Sequence, residues 1–197
     1  MRHREEPYHH GHLRAALLDR AAERLQSDGL QALSLRSLAR ELGVSHAAPN
    51  RHFPDRQSFL DALSTHGWER LGRRLHGADP GADADLRARL LAPALAYVRF
   101  ATSEPALLEV MVAGKARSLA GSADGAGARS WTPETLVVQG QRSGELAGTD
   151  PTPIATSFWS LLHGISVLSI SGMLGEDDLD VIVTRSVDLL LDGARPR

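Results

Sequence analysis

The chain has 197 residues, enough to bury a core without disulfides or a structural metal. Cysteine is absent, which excludes disulfide scaffolds, cysteine-ligated zinc and thiol catalysis and makes a reducing cytoplasm the expected compartment. At 42% hydrophobic and 23% charged residues the composition is globular, and the net charge of -2 hides an asymmetry: residues 1–74 hold 12 arginines against 9 acids, residues 75–197 hold 10 basic residues against 15 acids.

Met1–His12 is polar and histidine-rich, with no apolar stretch behind it of signal-peptide length, so export is not expected. Helical periodicity dominates from there on. Leu13, Leu17, Ala21 and Leu25 recur every four residues and predict a first helix that Gly29 closes. Ser34 stands where an N-cap belongs, and Leu35, Leu38, Ala39 and Leu42 predict a two-turn helix ending in a left-handed Gly43. Ser45 reads as the N-cap of a short helix through about His52, where Pro49 costs one backbone bond and predicts a tightened or irregular first turn. Asp55 caps a fourth helix, with Phe59, Leu60, Leu63 and Leu71 on its apolar face. The Gly-, Pro- and Asp-rich segment His76–Asp83 predicts a connection between two domains, 8–75 and 83–193.

The second domain opens with an alanine- and leucine-rich helix over about 84–101, kinked or broken by Pro93. A helix over about Pro105–Val112 and a small-residue loop, Gly121–Gly127, follow, and another helix starts near Pro133. Two strong helices, 153–174 and 178–192, close the pattern on either side of Gly175 and the acidic Glu176-Asp177-Asp178. About nine helices make an all-α fold with no internal repeat. The apolar run Ile154–Leu174 is nearly of bilayer-spanning length, but Ser157, Ser160, His163, Ser166, Ser169 and Ser171 interrupt it, so it reads as a buried helix of a soluble protein and no membrane partner is expected. Along it Ile154, Phe158, Leu161, Ile165, Leu168 and Gly172 make a bundle seam, and Leu179, Ile182, Val183, Ser186 and Leu190 supply the facing stripe.

Residues 34–53 combine a helix, a glycine-centred turn and a second helix start, a spacing that suits a DNA-binding helix-turn-helix and also occurs in helical hairpins of other function. Arg36, Arg40, Arg51 and Arg56 lie in or beside it, in the basic part of the chain, where phosphate contacts would need them. Arg56 sits in the first turn of its helix, against the macrodipole. A bound phosphate would remove that conflict, and tolerated surface charge is the other reading. His46, Ala47, Asn50 and Arg51 are candidates to reach base edges, since asparagine pairs with adenine, arginine with guanine, and alanine touches a thymine methyl. Phe53 reads as a core anchor. In the second domain His163, one turn from Trp159, is the candidate polar anchor of an apolar pocket with Tyr97, Phe100, Leu108, Met111 and Trp131 as walls; a core histidine bonded to a backbone carbonyl is the alternative. His9, His10 and His12 lack a carboxylate or cysteine at ligand spacing, so no metal site and no cofactor is expected.

Four segments carry a resemblance. Tyr8-His-His-Gly-His-Leu-Arg14, Ala32-Leu-Ser-Leu-Arg-Ser-Leu-Ala-Arg-Glu-Leu-Gly-Val-Ser-His-Ala-Ala-Pro49 and Arg51-His-Phe-Pro-Asp-Arg56 resemble the N-terminal domain of TetR-family bacterial transcriptional regulators over residues 8–75. Trp159-Ser-Leu-Leu-His163-Gly164 is similar to a branch of that family with a Trp…His-Gly signature in its C-terminal domain. The resemblance implies an all-helical homodimer in which three N-terminal helices bind double-stranded operator DNA, an inverted repeat. It further implies that the C-terminal helices hold a small-molecule effector and that the helices at about 153–174 and 178–192 dimerise. Carried over by position, Ser34 and Arg36 contact the backbone or groove edge, His46 and Ala47 face the bases, and His52 and Arg56 grip phosphates, with Ser45 also among the DNA-binding residues. Asn50 stands where the family usually has tyrosine and Arg56 where it has lysine, so the operator sequence is not inherited. The expectation is a cytoplasmic, ligand-responsive regulator, a repressor rather than an activator. A helical ligand-binding protein without DNA binding is the alternative, and a small helical enzyme is the least supported, since no nucleophile elbow, phosphate loop or paired His/Glu motif is present.

Overall fold

The computed structural model describes residues 10–121, 133–175 and 178–196. Among the described residues are eight α-helices, one short 3-10 helix and no strand. They fall into two compact units, one drawn from Met1–Trp68 and Ala106–Gly125, the other from Glu69–Pro105 and Ala126–Arg197.

In the first unit, α1 (His10–Ala32) buries Leu13, Leu17, Ala21 and Leu25, the stripe its spacing predicts. Gly29, at φ 74°, interrupts its helical backbone where the closing glycine was expected. The helix α2 (Leu35–Glu41) begins at Ser34, whose Oγ accepts the Ser37 N–H at 3.1 Å, and buries Leu38 and Ala39. Its end is a Schellman turn: Gly43 takes φ 68°, its N–H bonds the Arg40 carbonyl, and the Val44 N–H bonds the Ala39 carbonyl. Any side chain at Gly43 would strain that turn.

The next element corrects the sequence reading. Residues 45–52 do not form an α-helix; they make successive i to i+3 turns that end in a 3-10 helix, Pro49–Arg51. Proline four residues into so short a segment removes a bond that a two-turn helix cannot spare, so the tightening expected of the first turn spreads through the whole element. This accounts for eight α-helices where about nine were expected. The long helix α3 (Arg56–Ala78) starts with a reciprocal cap, in which an Asp55 carboxylate oxygen accepts the Ser58 N–H at 2.7 Å and the Ser58 hydroxyl accepts the Asp55 N–H at 3.2 Å. It runs through residues read as connection, and the division between the units falls within it, after Trp68. The helix α5 (Pro105–Gly121) continues well past Val112, because Ala113–Ala120 contains no proline and alanine favours helix. Met111 ties it to α3: its carbonyl accepts the Ser64 hydroxyl at 3.2 Å and the Trp68 indole N–H at 3.3 Å.

In the second unit, α4 (Leu86–Ser103) packs against α6 (Pro133–Ser143), α7 (Thr152–Ile170) and α8 (Leu179–Gly193). The Asp85 side chain caps α4 through the Ala88 N–H at 2.6 Å, and the helix runs on through a buried Pro93 rather than breaking there. Buried Leu90, Ala94, Val98 and Ala101 hold it in place, each large apolar side chain contributing roughly 1.5–3 kcal/mol. On the exposed side Arg87 forks onto Asp188 at 2.6 and 2.9 Å, and Arg99 pairs with Asp180. The buried carboxylate of Glu104 takes Arg70 at 3.1 Å and Arg74 at 2.9 Å.

The helix α7 ends at Ile170, four residues before the expected Leu174. Gly172, read as the last member of the seam, instead takes φ 71° and closes a second Schellman turn, with the Met173 N–H on the Leu168 carbonyl. The buried positions of α7 are Ala155, Phe158, Leu162, Ile165 and Ser166, so Leu168 leaves the intrachain seam and is exposed. In α8 the buried stripe is Val183, Val187 and Leu191: Val183 is buried as expected, while Leu179, Ile182, Ser186 and Leu190 are half-buried. By length and composition α7 could cross a bilayer, but these five positions are spent on the core of its own unit. The loop read over Gly121–Gly127 lies, beyond Gly121, outside the described residues, as do Trp131, Glu176 and Asp177.

Candidate nucleic-acid interface

The hairpin begins with two short elements set at a fixed corner by the Gly43 turn. Buried Ala39 allows the close crossing, and Val44 is half-buried in the corner. Behind it, Phe53 is 1% exposed and meets Phe59 edge-on with ring centroids 5.2 Å apart, while the Arg14 guanidinium lies over the Phe53 ring at 5.6 Å. Phe53 is therefore the anchor its position suggested. In front, Ser34, Arg36, Ser45, His46, Ala47, Asn50, Arg51 and Arg56 are all exposed, and His52 is half-buried beside the Phe53 ring.

Charge on this surface divides into two groups. Arg20 and Arg24 of α1 are neutralised locally: Arg20 pairs with Glu23 and Glu41, and Arg24 with Asp28 and Glu41. Among the described residues no acid pairs with Arg36, Arg40 or Arg51. Arg36 and Arg40 are one turn apart on α2, so their charges share a face. Exposed cations without acidic partners keep their full charge for a polyanion, and side chains with amide, imidazole and methyl groups stand beside them.

Arg56 behaves differently. Its Nη1 donates to the Leu33 carbonyl at 2.9 Å and its Nη2 to the Leu30 carbonyl at 3.0 Å, both at the end of α1. The clash with the dipole of its own helix is offset by the carbonyl end of another. No pattern in the sequence marks this pairing, which joins residues 23 and 26 positions apart.

In the second unit the structure brings Tyr97, Trp159 and His163 together. The Tyr97 hydroxyl is 3.3 Å from His163 Nδ1, and the Tyr97 and Trp159 rings meet edge-on at 5.3 Å. Tyr97 and Phe100 are buried, while Trp159 and His163 are half-buried. The Phe100 ring is covered by the Arg74 guanidinium at 5.1 Å. Leu108 and Met111 belong to the other unit, and Trp131 lies outside the described residues. Among the described residues no group of three or more potential metal ligands gathers; the tract of His9, His10 and His12 lies outside the described side chains. Sequence reasoning missed Glu104 with its two arginines, which lacks any local signal because its partners are 30 and 34 residues away.

Burial pushes the Tyr97 phenol up to about 12. The unfolded chain loses that proton near pH 10, so the contribution to stability is whole below pH 10 and declines as the pH rises to about 12. Urea unfolding at pH 9 and pH 12 should show wild type losing about 2–3 kcal/mol more than Tyr97→Phe over that interval. An equal loss in the two proteins would place the phenol in contact with water.

Residues 17–63 match the family described as bacterial regulatory proteins, tetR family, and residues 90–193 match the tetracyclin repressor-like C-terminal domain. A search among proteins of curated function finds no match. A solved structure of a protein with unknown function from Rhodococcus sp. RHA1 is 40% identical over 98% of this chain and 100% of that one, with a TM-score of 0.82. A TetR variant from Acinetobacter baumannii AYE in complex with minocycline is 18% identical, covering 91% and 94% of the two chains, with a TM-score of 0.62. BioQ with its double-stranded DNA operator is 19% identical, covering 91% and 96%, with a TM-score of 0.59. At such identities the last two speak for the fold.

Proposed function

Because this chain belongs to the TetR family of bacterial transcription regulators, we propose that it is a cytoplasmic repressor that binds an inverted-repeat operator as a homodimer and leaves it when a small-molecule effector binds. It is a DNA-binding regulator of helix-turn-helix type, from a family of regulators rather than enzymes. The observation that carries the reading is the set of exposed arginines with no acidic partner among the described residues, Arg36, Arg40 and Arg51, around exposed His46, Ala47 and Asn50. In this reading Ser34, Arg36 and His52 meet the DNA backbone, and Ser45, His46, Ala47, Asn50 and Arg51 lie in the groove.

The dimer is supported by apolar side chains that α7, α8 and the turn between them leave exposed, Val167, Leu168, Ile170, Met173 and Leu189 among them. A second copy, related by a two-fold axis, is the occupant that would cover them. The effector site is supported by the Tyr97–His163–Trp159 cluster, polar at the Tyr97 hydroxyl and apolar on its ring faces. Trp159 and His163-Gly164 are also what support membership of the Trp…His-Gly branch. BioQ was captured with its operator and the Acinetobacter protein with minocycline; both properties are carried to this chain as part of the proposal.

The test is selection of binding sites from a randomised duplex pool, followed by salt titration on the selected duplex. Wild type should enrich an inverted repeat. Arg36→Ala should weaken binding to all duplexes alike and lower the salt slope by about one, whereas Asn50→Ala should change the preferred bases at unchanged slope. Recovery of no enriched sequence would sink the reading; identical effects of the two variants would reverse their roles.

A further inference from the structure

Two facts about Arg56 pull in the same direction. Its two Nη atoms are both engaged with main-chain carbonyls, those of Leu33 and Leu30. The helix N-terminus beside it is already occupied by an anion, since the Asp55 carboxylate accepts the Ser58 N–H at 2.7 Å. That bond, together with a second to Ser58, holds the Asp55 carboxyl below the usual carboxylate range. A phosphate at this N-terminus would meet the like charge of the Asp55 carboxylate that already caps it.

The carbonyls that Arg56 grips belong to the stretch that leads into α2. Leu33 is buried, and the next residue, Ser34, caps α2 through the Ser37 N–H. The position and start of α2, and with it the placement of Arg36 and Arg40, depend on that short turn. We infer that Arg56 is a positioning residue of the DNA-binding hairpin, which pins the turn Leu30–Leu33 through its two guanidinium bonds and makes no phosphate contact. The inference rests on the DNA-binding reading proposed above. Its content is that an arginine in the midst of a basic surface acts on DNA only through the backbone it holds.

Arg56→Ala and Arg56→Lys separate the two roles. Lysine keeps the charge but ends in a single nitrogen in place of a planar fork, so it restores a phosphate contact and not a pair of bonds to two separate carbonyls. Binding is measured against salt on the duplex selected by wild type, and amide hydrogen exchange of residues 30–38 is measured on the free proteins. Both variants should bind about tenfold or more weakly at an unchanged salt slope, and both should exchange faster than wild type across 30–38. A slope lowered by about one in Arg56→Ala and restored in Arg56→Lys would overturn the inference in favour of a phosphate contact. Unchanged exchange in both variants would overturn it too. Should wild type select no duplex, the DNA-binding reading fails, and the exchange arm alone still decides whether Arg56 holds the turn.

Discussion

Leu168→Asp and Leu189→Asp are each expected to give folded monomers that no longer bind a full operator. Leu189 is 73% exposed in the single chain and Leu168 38%, so neither is a buried residue of its own unit, and Leu189 is the cleaner of the two probes. In a two-fold dimer each would appear twice, and a buried carboxylate without a partner costs several kcal/mol, more than most interfaces can lose. Operator binding falls with the dimer, because two reading elements about 34 Å apart are needed to enter successive major grooves. Ile165, by contrast, is 6% exposed within its unit, and Ile165→Asp would report on folding instead of association. Sedimentation equilibrium with parallel band-shift measurements decides the matter. Dimer mass retained by both variants would move the interface off these helices.

Phe53→Ala should lower the stability of the protein by about 3–5 kcal/mol, a large share of the whole for a small protein. The reason lies in what surrounds Phe53. Residues 45–52 hold themselves together only by i to i+3 turns, so this segment has little stability of its own and depends on the ring it leads into. Removal of the ring leaves a cavity against Phe59 and takes away the surface on which Arg14 rests. Phe53→Leu should recover most of the loss. The check is urea unfolding of the three proteins, with hydrogen exchange to locate the damage. A loss below about 1 kcal/mol in the alanine variant would show that the hairpin is anchored elsewhere.

Those two expectations draw on different kinds of legibility. The caps at Ser34 and Asp55, the turn at Gly43 and the anchor at Phe53 were all readable, because each is a local signal confined to a few neighbouring residues. Pro49 was legible as a disturbance but not in extent, since the outcome turns on how few helical bonds the segment has to spare. The α7 pattern misled at its end: a glycine at helical spacing looks the same in a seam and in a terminator, and only the φ of 71° at Gly172 tells them apart. Of the stripe expected on α8, Val183 is buried, but the rest of the buried row is Val187 and Leu191, because Ile182, Ser186 and Leu190 run beside that row and spacing alone does not separate the two. The contacts of Arg56 and Glu104 were beyond reach for a further reason: their partners lie more than 20 residues away, and a charge tally counts Arg56 together with Arg36.

The α8 helix has a consequence for how the protein comes into being. Val183, Val187 and Leu191 complete the core of the second unit, and Arg87 and Arg99 find their acids at Asp188 and Asp180, 101 and 81 residues downstream. During synthesis α4 therefore leaves the ribosome with its buried face uncovered and waits for nearly half the chain before the last helix can close on it. At about 5–20 residues per second that interval lasts several seconds, far longer than helix formation itself. The hairpin is in a different position, since its caps, its turn and the Phe53–Phe59 pair all lie within residues 34–59 and are available as soon as that stretch emerges. The second unit, which stays open until α8 has been made, is where a nascent molecule is exposed to aggregation and to chaperone capture.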